Sequence, residues 1–105
     1  RWVKPSCMLV CEDNYSNAHG TPWLYKEMGI GKLIGAPVPG TMTAVWWENI
    51  GQYTFGIPQV GTKDNRGNYL ENQQLEPDIE CYVTPEDMLR GVDTQIQAAV
   101  KELMK

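Results

Sequence analysis

The segment spanning residues 8–20, M-L-V-C-E-D-N-Y-S-N-A-H-G, constrains this chain more than any other. A short apolar run ends in three polar residues, and Ser16 and a helix-forming stretch follow. This order predicts a strand, a tight turn, a serine and a helix. Such a connection can present the hydroxyl of Ser16 at a helix N-terminus, where backbone N–H groups can stabilise an oxyanion. Serine is also among the commonest helix N-caps, so the local pattern leaves both a nucleophile and a cap open.

The composition predicts one small globular domain over residues 1–105. The chain is 42% hydrophobic and 21% charged, which allows a modest core and does not indicate disorder. Its net charge is −4 and it has no run of Lys or Arg, which argues against a nucleic-acid or anionic-membrane surface. No apolar stretch approaches the ~20 residues that span a bilayer, and no signal peptide is visible. Because the chain begins Arg1-Trp2, we interpret it as a piece of a longer protein.

The cysteines and the histidine argue against a disulfide framework and a metal site. The chain has three cysteines, an odd number, and these are interpreted as buried free thiols: Cys7, Cys11 and Cys81. It has a single histidine and no C-x-x-C motif. We therefore expect no metal site and no cofactor.

Apolar runs and turn signals predict the following elements. Strands are expected at residues 5–11, 32–36, 43–48 and 53–60, with a short extended piece at 69–75. The continuous apolar run of the first strand is typical of a parallel strand covered on both faces. Residues 49–52 predict a hairpin turn. Pro58 predicts an edge position or an irregularity in the second strand of that hairpin.

Three helices are expected. The first covers residues 17–28 and stops at Gly29, but Pro22 is tolerated only in a first turn, which moves the expected start to about residue 20 or 21. Thr84 and the proline after it predict the start of a short helix, and Asp93 caps the last one. Apolar residues repeat at helical spacing in that last helix: Ile96, Ala99, Val100 and Leu103.

Several further residues are candidates for a site, each with a simpler alternative. His19 follows Ser16 by about one helical turn and could take its proton, although a surface histidine is the simpler interpretation. Trp46 and Trp47 point to opposite faces of a strand, so one is expected in the core and the other could line a groove for an apolar side chain. Both are candidates for substrate binding. Glu71 is an ordinary exposed acid or a carboxylate that orients a distant base. The side chains of Lys26 and Lys32 are interpreted as solvated charges rather than as the base of a serine–lysine dyad.

Four blocks of the chain occur in the order of a known family. Residues 14–18 are similar to N-x-S-Y-S-D-A-E, and residues 24–37 to F-K-x-L-G-L-G-K-[LV]-[IV]-G-x-P-T. Residues 70–79 are similar to L-E-N-x-G-V-x-P-D-I, and residues 84–93 with the last helix to T-P-E-D-x-x-x-G-x-D-x-Q-L-x-x-A. Through these blocks the chain resembles the C-terminal part of the catalytic domain of the C-terminal-processing (tail-specific) serine peptidases, and among them the tricorn-core-like branch.

The resemblance implies a fold and a set of roles. The fold would be α/β, with the stacked β–β–α units of the crotonase/ClpP-like type, here its C-terminal half. Ser16 falls at the nucleophile, and the backbone N–H of Asn17 would be one oxyanion donor. Tail-specific enzymes carry a lysine base where Thr41 stands here. The resemblance therefore implies a histidine base from outside these residues, as in the tricorn-like branch, with Glu71 holding it.

The function that this implies is serine endopeptidase activity on peptide or protein substrates. The chain alone would be inactive, because its base would come from the remaining N-terminal part of the parent peptidase. Asn17 replaces the usual acid and His19 the common glutamate, so a non-catalytic peptide-binding or ligand-binding module on the same fold is the alternative. The resemblance favours a bacterial protein of the cell envelope, the periplasm or the extracellular space. It leaves homo-oligomerisation open.

Overall fold

The computed structural model of the chain describes residues 3–105. Its elements are, in order, β1 (Cys7–Val10), α1 (Asn17–Glu27), β2 (Lys32–Gly35), β3 (Thr43–Ile50), β4 (Tyr53–Gly61), β5 (Ile79–Glu80), α2 (Pro85–Leu89) and α3 (Thr94–Leu103). The strands and helices give a mixed α/β fold, as the sequence predicts.

A small parallel sheet forms the centre of the fold. β2 lies between β1 and β5 and pairs in parallel with both. Leu33 and Ile34 of β2 are fully buried. β1 is an outer strand within the described sheet, and its Leu9 is 41% exposed, so the prediction of a first strand covered on both faces is wrong. β5 was not predicted, because two residues give no periodicity.

The core lies where the sheet meets two loops. Val10, Leu33, Val38 and Leu75 form one buried cluster, on which the side chains of Met8, Trp23 and Tyr25 pack. The N–H groups of Val38 and Leu75 each donate to the other residue's carbonyl at 2.9 Å. The extended piece predicted at 69–75 is instead a loop, because Asn72 has a φ of 60° and turns the chain.

Helix α1 begins earlier than Pro22 led us to expect. It starts at Asn17, so the predicted start near residue 20 or 21 is wrong. Pro22 therefore lies in the helix interior and is buried. Gly29 has a φ of 62° and follows the helix end, as predicted.

The β3–β4 hairpin extends away from the parallel sheet. The two strands pair with each other in antiparallel register, with an irregularity between Ala44 and Val45 opposite Pro58, as expected. Neither strand pairs with the parallel sheet. Trp46 and Trp47 are 61% and 67% exposed, so the prediction that one of them belongs to the core is wrong.

The C-terminal helices begin as the sequence predicts. Thr84 Oγ1 accepts the N–H of Asp87 at 3.1 Å, and Asp93 Oδ1 accepts the N–H of Ile96 at 2.9 Å. Of the apolar face predicted for α3, only Ala99 is buried within residues 3–105. The cysteines have free thiols, as expected, but are half-buried rather than buried. None of the helices that residues 3–105 form is long and apolar enough to cross a membrane.

Candidate active site

Ser16 lies in the short connection between β1 and α1, which we call the elbow (residues 11–18). Its φ of 55° and ψ of −114° are a conformation that L residues rarely adopt and that costs about 1–3 kcal/mol. A strained serine between a strand and a helix is the geometry of a nucleophile elbow. Ser16 occupies the N-cap position of α1, but its hydroxyl makes no capping hydrogen bond. Its carbonyl instead accepts the N–H groups of His19 and Gly20.

Asn17 is the first residue of α1, next to the serine. Its backbone N–H makes no hydrogen bond within residues 3–105, as is usual for the first turn of a helix. The partial positive charge of a helix N-terminus adds to the attraction of this N–H for an anion. The local geometry thus leaves Asn17 able to donate to a negatively charged oxygen formed at Ser16.

Thr41 contacts the serine from the loop between β2 and β3. Its Oγ1 accepts the backbone N–H of Ser16 at 3.0 Å. The residue at the position of the tail-specific lysine therefore binds the backbone of the serine. This bond fixes one side of the strained elbow.

Glu71 is held as a carboxylate by two short hydrogen bonds. Its Oε2 accepts the hydroxyl of Thr43 and the backbone N–H of Met42, both at 2.7 Å. The Thr43 hydroxyl first, and then the Met42 N–H, lower the pKa of Glu71 below its ordinary value. Its other oxygen, Oε1, takes part in neither of these two bonds, so it can accept one from a further group.

The elbow and the hairpin enclose a cleft of about 550 Å³. Its lining residues are Tyr15, Ser16, Thr41, Thr43, Val45, Trp47, Pro58 and Glu71. Of the residues predicted for a site, the cleft brings together Ser16, Glu71 and Trp47, with Asn17 adjacent in the chain. Trp46 does not line it, because adjacent residues of a strand point to opposite faces.

Five lining residues were not predicted from the sequence as parts of a site: Tyr15, Thr41, Thr43, Val45 and Pro58. Val45 shares a strand face with Trp47, and this alternation is a signal that could have identified it. Pro58 pairs with Val45 across the hairpin, which no local pattern reveals because of the register shift nearby. Thr43 binds a glutamate that lies 28 residues further along the chain.

His19 belongs to the first turn of α1, and its side chain is buried. Its ring has no accessible surface, so its interpretation as a surface histidine is wrong. Neither ring nitrogen makes a hydrogen bond within residues 3–105. Burial lowers the pKa of His19, while Glu71 and the Gln73 backbone act in the opposite direction. His19 is absent from the lining of the cleft.

The two lysines considered as bases lie in ion pairs. Lys26 Nζ lies 3.2 Å from Asp78 Oδ1, and Lys32 Nζ lies 2.6 Å from Glu102 Oε1. Neither lysine lines the cleft. The residues that the structure describes thus place no lysine or histidine among the walls of this cleft.

The two loops that carry Thr41 and Glu71 contact each other at Gly40. A Cβ on Gly40 would lie 2.3 Å from the backbone nitrogen of Gln73, so only glycine allows this approach. The N–H of Asn72 donates to the Gly40 carbonyl at 2.8 Å. Thr41 and Glu71 are each the direct neighbour of one residue in this contact.

Known proteins resemble the chain over most of its length. The model of Peptidase family S41 matches residues 1–81. A protein of Chlamydia pneumoniae is 29% identical over 113 aligned positions, which cover 99% of this chain and 17% of that protein. The alignment therefore supports a relationship to a much longer protein.

Two solved structures share the fold. The tricorn protease has a TM-score of 0.75 and 26% identity, over 92% of this chain and 10% of its own. Mature CPAF, complexed with lactacystin, has a TM-score of 0.83 and 22% identity, over 99% of this chain and 21% of its own, and at this identity it shows the fold alone. The chain thus spans only a small part of each of these proteins. Because the family model matches more than half of its residues, the chain belongs to Peptidase family S41, a family of serine peptidases.

Proposed function

We propose that this chain is the C-terminal half of the catalytic domain of a serine endopeptidase of the tail-specific/tricorn-like type. The observation that carries the proposal is a strained Ser16, in a strand-to-helix elbow, that opens onto a cleft shared with Glu71. The parallel sheet and its helices would then be part of stacked β–β–α units of the crotonase/ClpP-like type.

In the reaction we propose, Ser16 Oγ attacks the carbonyl carbon of the scissile peptide bond. A histidine from the remaining N-terminal part of the parent protein takes the hydroxyl proton and passes it to the leaving amine. The N–H of Asn17 stabilises the negative oxygen of the tetrahedral intermediate, a contribution on the order of 3–4 kcal/mol for one such donor. Water then hydrolyses the acyl-enzyme and regenerates the serine.

Glu71 is suited to orient that histidine. Its lowered pKa keeps it ionised at neutral pH, since Thr43 and Met42 already stabilise its charge through one oxygen. The other oxygen can accept an imidazole N–H and stabilise the imidazolium that forms. Thr41 cannot replace the histidine, because a threonine hydroxyl is not a base at neutral pH.

The hairpin supplies the apolar wall for the substrate. Trp47 and Val45 lie on the face that lines the cleft, and we propose Trp47 as a substrate-binding residue. Trp46, also predicted for this role, lies outside the lining and is left out of the proposal. An extended peptide could add as a strand beside the sheet.

On the basis of the family resemblance, we propose that the parent protein lies in the bacterial envelope, the periplasm or the extracellular space.

Labelling of the full-length protein with a serine-reactive phosphonate tests the nucleophile. We expect the wild-type protein to be labelled and the Ser16→Ala variant not to be. The matched control is Ser6→Ala, which removes a serine that bonds to the Tyr25 hydroxyl outside the cleft, and which should leave labelling intact. Equal labelling of wild type and Ser16→Ala would contradict the proposal.

A non-catalytic peptide-binding module on the same fold is the second candidate. It is favoured by one observation, that Ser16 Oγ makes no hydrogen bond to a base within residues 3–105. Such a module would bind peptides without reacting with the phosphonate. The isolated chain, which we expect to be inactive, gives a further check. Peptide turnover by residues 1–105 alone would require a base among them and would return His19 to that role.

A further inference from the structure

Pro22 leaves one backbone carbonyl of α1 without its helical donor. In an α-helix the N–H of residue 22 would donate to the carbonyl of residue 18, and proline has no N–H. The carbonyl without a helical donor is that of Ala18, one turn before Pro22 and in the part of the helix that directly follows Ser16. The Ala18 carbonyl is therefore free to accept a hydrogen bond from a donor outside the helix backbone.

The side chain of Asn14 supplies that donor. Its Nδ2 donates to the Ala18 carbonyl at 2.7 Å. Its Oδ1 accepts the backbone N–H of Cys11 at 3.0 Å and lies 3.2 Å from the Cys11 thiol, which also donates to it. One amide thus bridges the residue that follows β1 and the first turn of α1, using both its donor and its acceptor.

Ser16 lies between the two ends of this bridge. The backbone from residue 11 to residue 18 must close a tight connection while Ser16 stays at a φ of 55°. Thr41 binds the Ser16 N–H from one side, and Asn14 fixes both flanks. Without the Asn14 bridge, we expect the elbow to relax toward an ordinary backbone conformation, which would change the position of the Ser16 hydroxyl relative to the N–H of Asn17.

We propose that Asn14 is a positioning residue for Ser16, and that the interior Pro22 makes its amide necessary. Asn14 does not line the cleft, so it acts through the backbone of the elbow. The proposal rests on the proposed peptidase function of Ser16. It adds a dependence that the function alone does not predict, between a turn asparagine and a proline eight residues later.

The test is a double-mutant cycle in the full-length protein. Asn14→Asp keeps an acceptor for Cys11 and removes the donor to Ala18. Pro22→Ala restores a backbone N–H that can donate to the Ala18 carbonyl. We expect Asn14→Asp to lower kcat at least tenfold with KM within twofold of wild type. In the Pro22→Ala background, Asn14→Asp should lower kcat by a factor less than a third of the factor it causes in the wild-type background.

Several measurements separate positioning from a general loss of structure. The rate of phosphonate labelling at Ser16 should fall and recover together with kcat, while urea unfolding reports stability. Asn65→Asp makes the same chemical change at an exposed residue outside the cleft and should leave kcat unchanged. If Asn14→Asp does not fold, Asn14→Ser, whose hydroxyl is too short to bridge both partners, is compared in the two backgrounds by the same criterion.

Each outcome decides between the proposals. An equal kcat loss from Asn14→Asp in both backgrounds would overturn the dependence on Pro22. An unchanged kcat, or a change in KM or stability alone, would overturn the positioning role of Asn14. In either case Ser16-dependent labelling of the wild type would leave the peptidase function standing. If the wild-type protein shows no Ser16-dependent labelling or cleavage, the proposed function fails and the positioning role fails with it.

Discussion

The elbow and the hairpin form opposite walls of one cleft, and they are held in place differently. The elbow follows β1 of the central parallel sheet and is fixed by side-chain hydrogen bonds from Asn14 and Thr41. The hairpin is paired only within itself, and all of its residues after Thr43 are exposed within the described chain. The elbow, which carries the proposed chemistry, is therefore held by side-chain hydrogen bonds from other parts of the chain. The hairpin, which would contact substrate, depends on its own strand pairing.

This difference suggests how the two tasks are separated. A nucleophile and its oxyanion donor must be placed within a fraction of an ångström, which suits a strained segment supported by a core. An apolar wall for a peptide side chain tolerates more variation, since hydrophobic contact is not directional. We expect changes on the elbow side to affect folding and kcat, and changes on the hairpin side to affect KM.

The largest effect is expected in the core beneath the elbow. Leu33→Ala removes a fully buried side chain from the central strand and should lower the free energy of unfolding by about 2–5 kcal/mol. Val60→Ala in the hairpin, at a residue that is 62% exposed, should change it by about 0.5 kcal/mol or less. Urea unfolding followed by circular dichroism measures both. Equal losses would show that the hairpin is as important for stability as the core.

The next effect is on the support of Ser16. Thr41→Val keeps the shape of the side chain and leaves the Ser16 N–H without its acceptor, an omission worth about 1–3 kcal/mol. If that energy is lost in the transition state, kcat falls about fivefold to 150-fold. Thr41→Ser keeps the hydroxyl and should retain most of kcat. Steady-state kinetics of the full-length protein distinguish the two, and a normal kcat in Thr41→Val would remove the Ser16–Thr41 bond from the account of the site.

A smaller effect is expected on the hairpin wall. Trp47→Ala removes apolar contact area from the cleft and should raise KM about tenfold, with kcat changed less. Trp46→Ala deletes an equally large and similarly exposed ring from the other face of the same strand. It serves as the control, and KM should stay near its wild-type value. If both variants raise KM alike, the substrate uses both faces of the hairpin.

The smallest effect concerns pH. Burial lowers the pKa of His19 in the folded chain below its ordinary value of 6.5. The unfolded chain then binds more protons than the folded chain as the pH falls below about 6.5, so the free energy of unfolding should decrease from that pH downward. Above pH 7 it should be nearly constant, because His19 is neutral in both states.

His19→Gln is the matched variant for this dependence. His19 is the chain's single histidine, so the variant should flatten the decrease between pH 7 and 5. Glu71 does not interfere in this range, because its own pKa is lowered. Urea midpoints measured at several pH values provide the check. An unchanged pH dependence in His19→Gln would show that burial does not disfavour the charged ring.

Local signals in the sequence predicted those elements whose causes are local. The caps at Thr84 and Asp93, the stop at Gly29 and the hairpin all depend on neighbouring residues, and each is confirmed. The predicted start of α1 was wrong because it took no account of Asn14, whose side chain outside the helix donates to the Ala18 carbonyl that Pro22 leaves without an N–H. The prediction of a core tryptophan in β3 was wrong because whether a strand face is covered depends on which other elements pack on it.

The candidate site was predictable only in part for the same reason. Ser16 stands out through its strand-turn-helix setting, and the resemblance brought in Glu71. The bond from Thr41 to the Ser16 N–H and the burial of His19 depend on loops that meet far from each other in sequence. The catalytic roles of Ser16, Asn17 and Glu71 stay predictions until the variants are measured.

The contact between Gly40 and the backbone at residues 72 and 73 has a consequence for how this site can vary. Thr41 and Glu71 are adjacent to the same point of contact, so their positions depend on each other. An inserted residue on either side would displace the serine's support and the carboxylate together. Insertions should instead be tolerated at the exposed hairpin tip around Gly51. Diversification of a chain like this one would therefore proceed by lengthening the hairpin while the lengths of these two loops stay fixed.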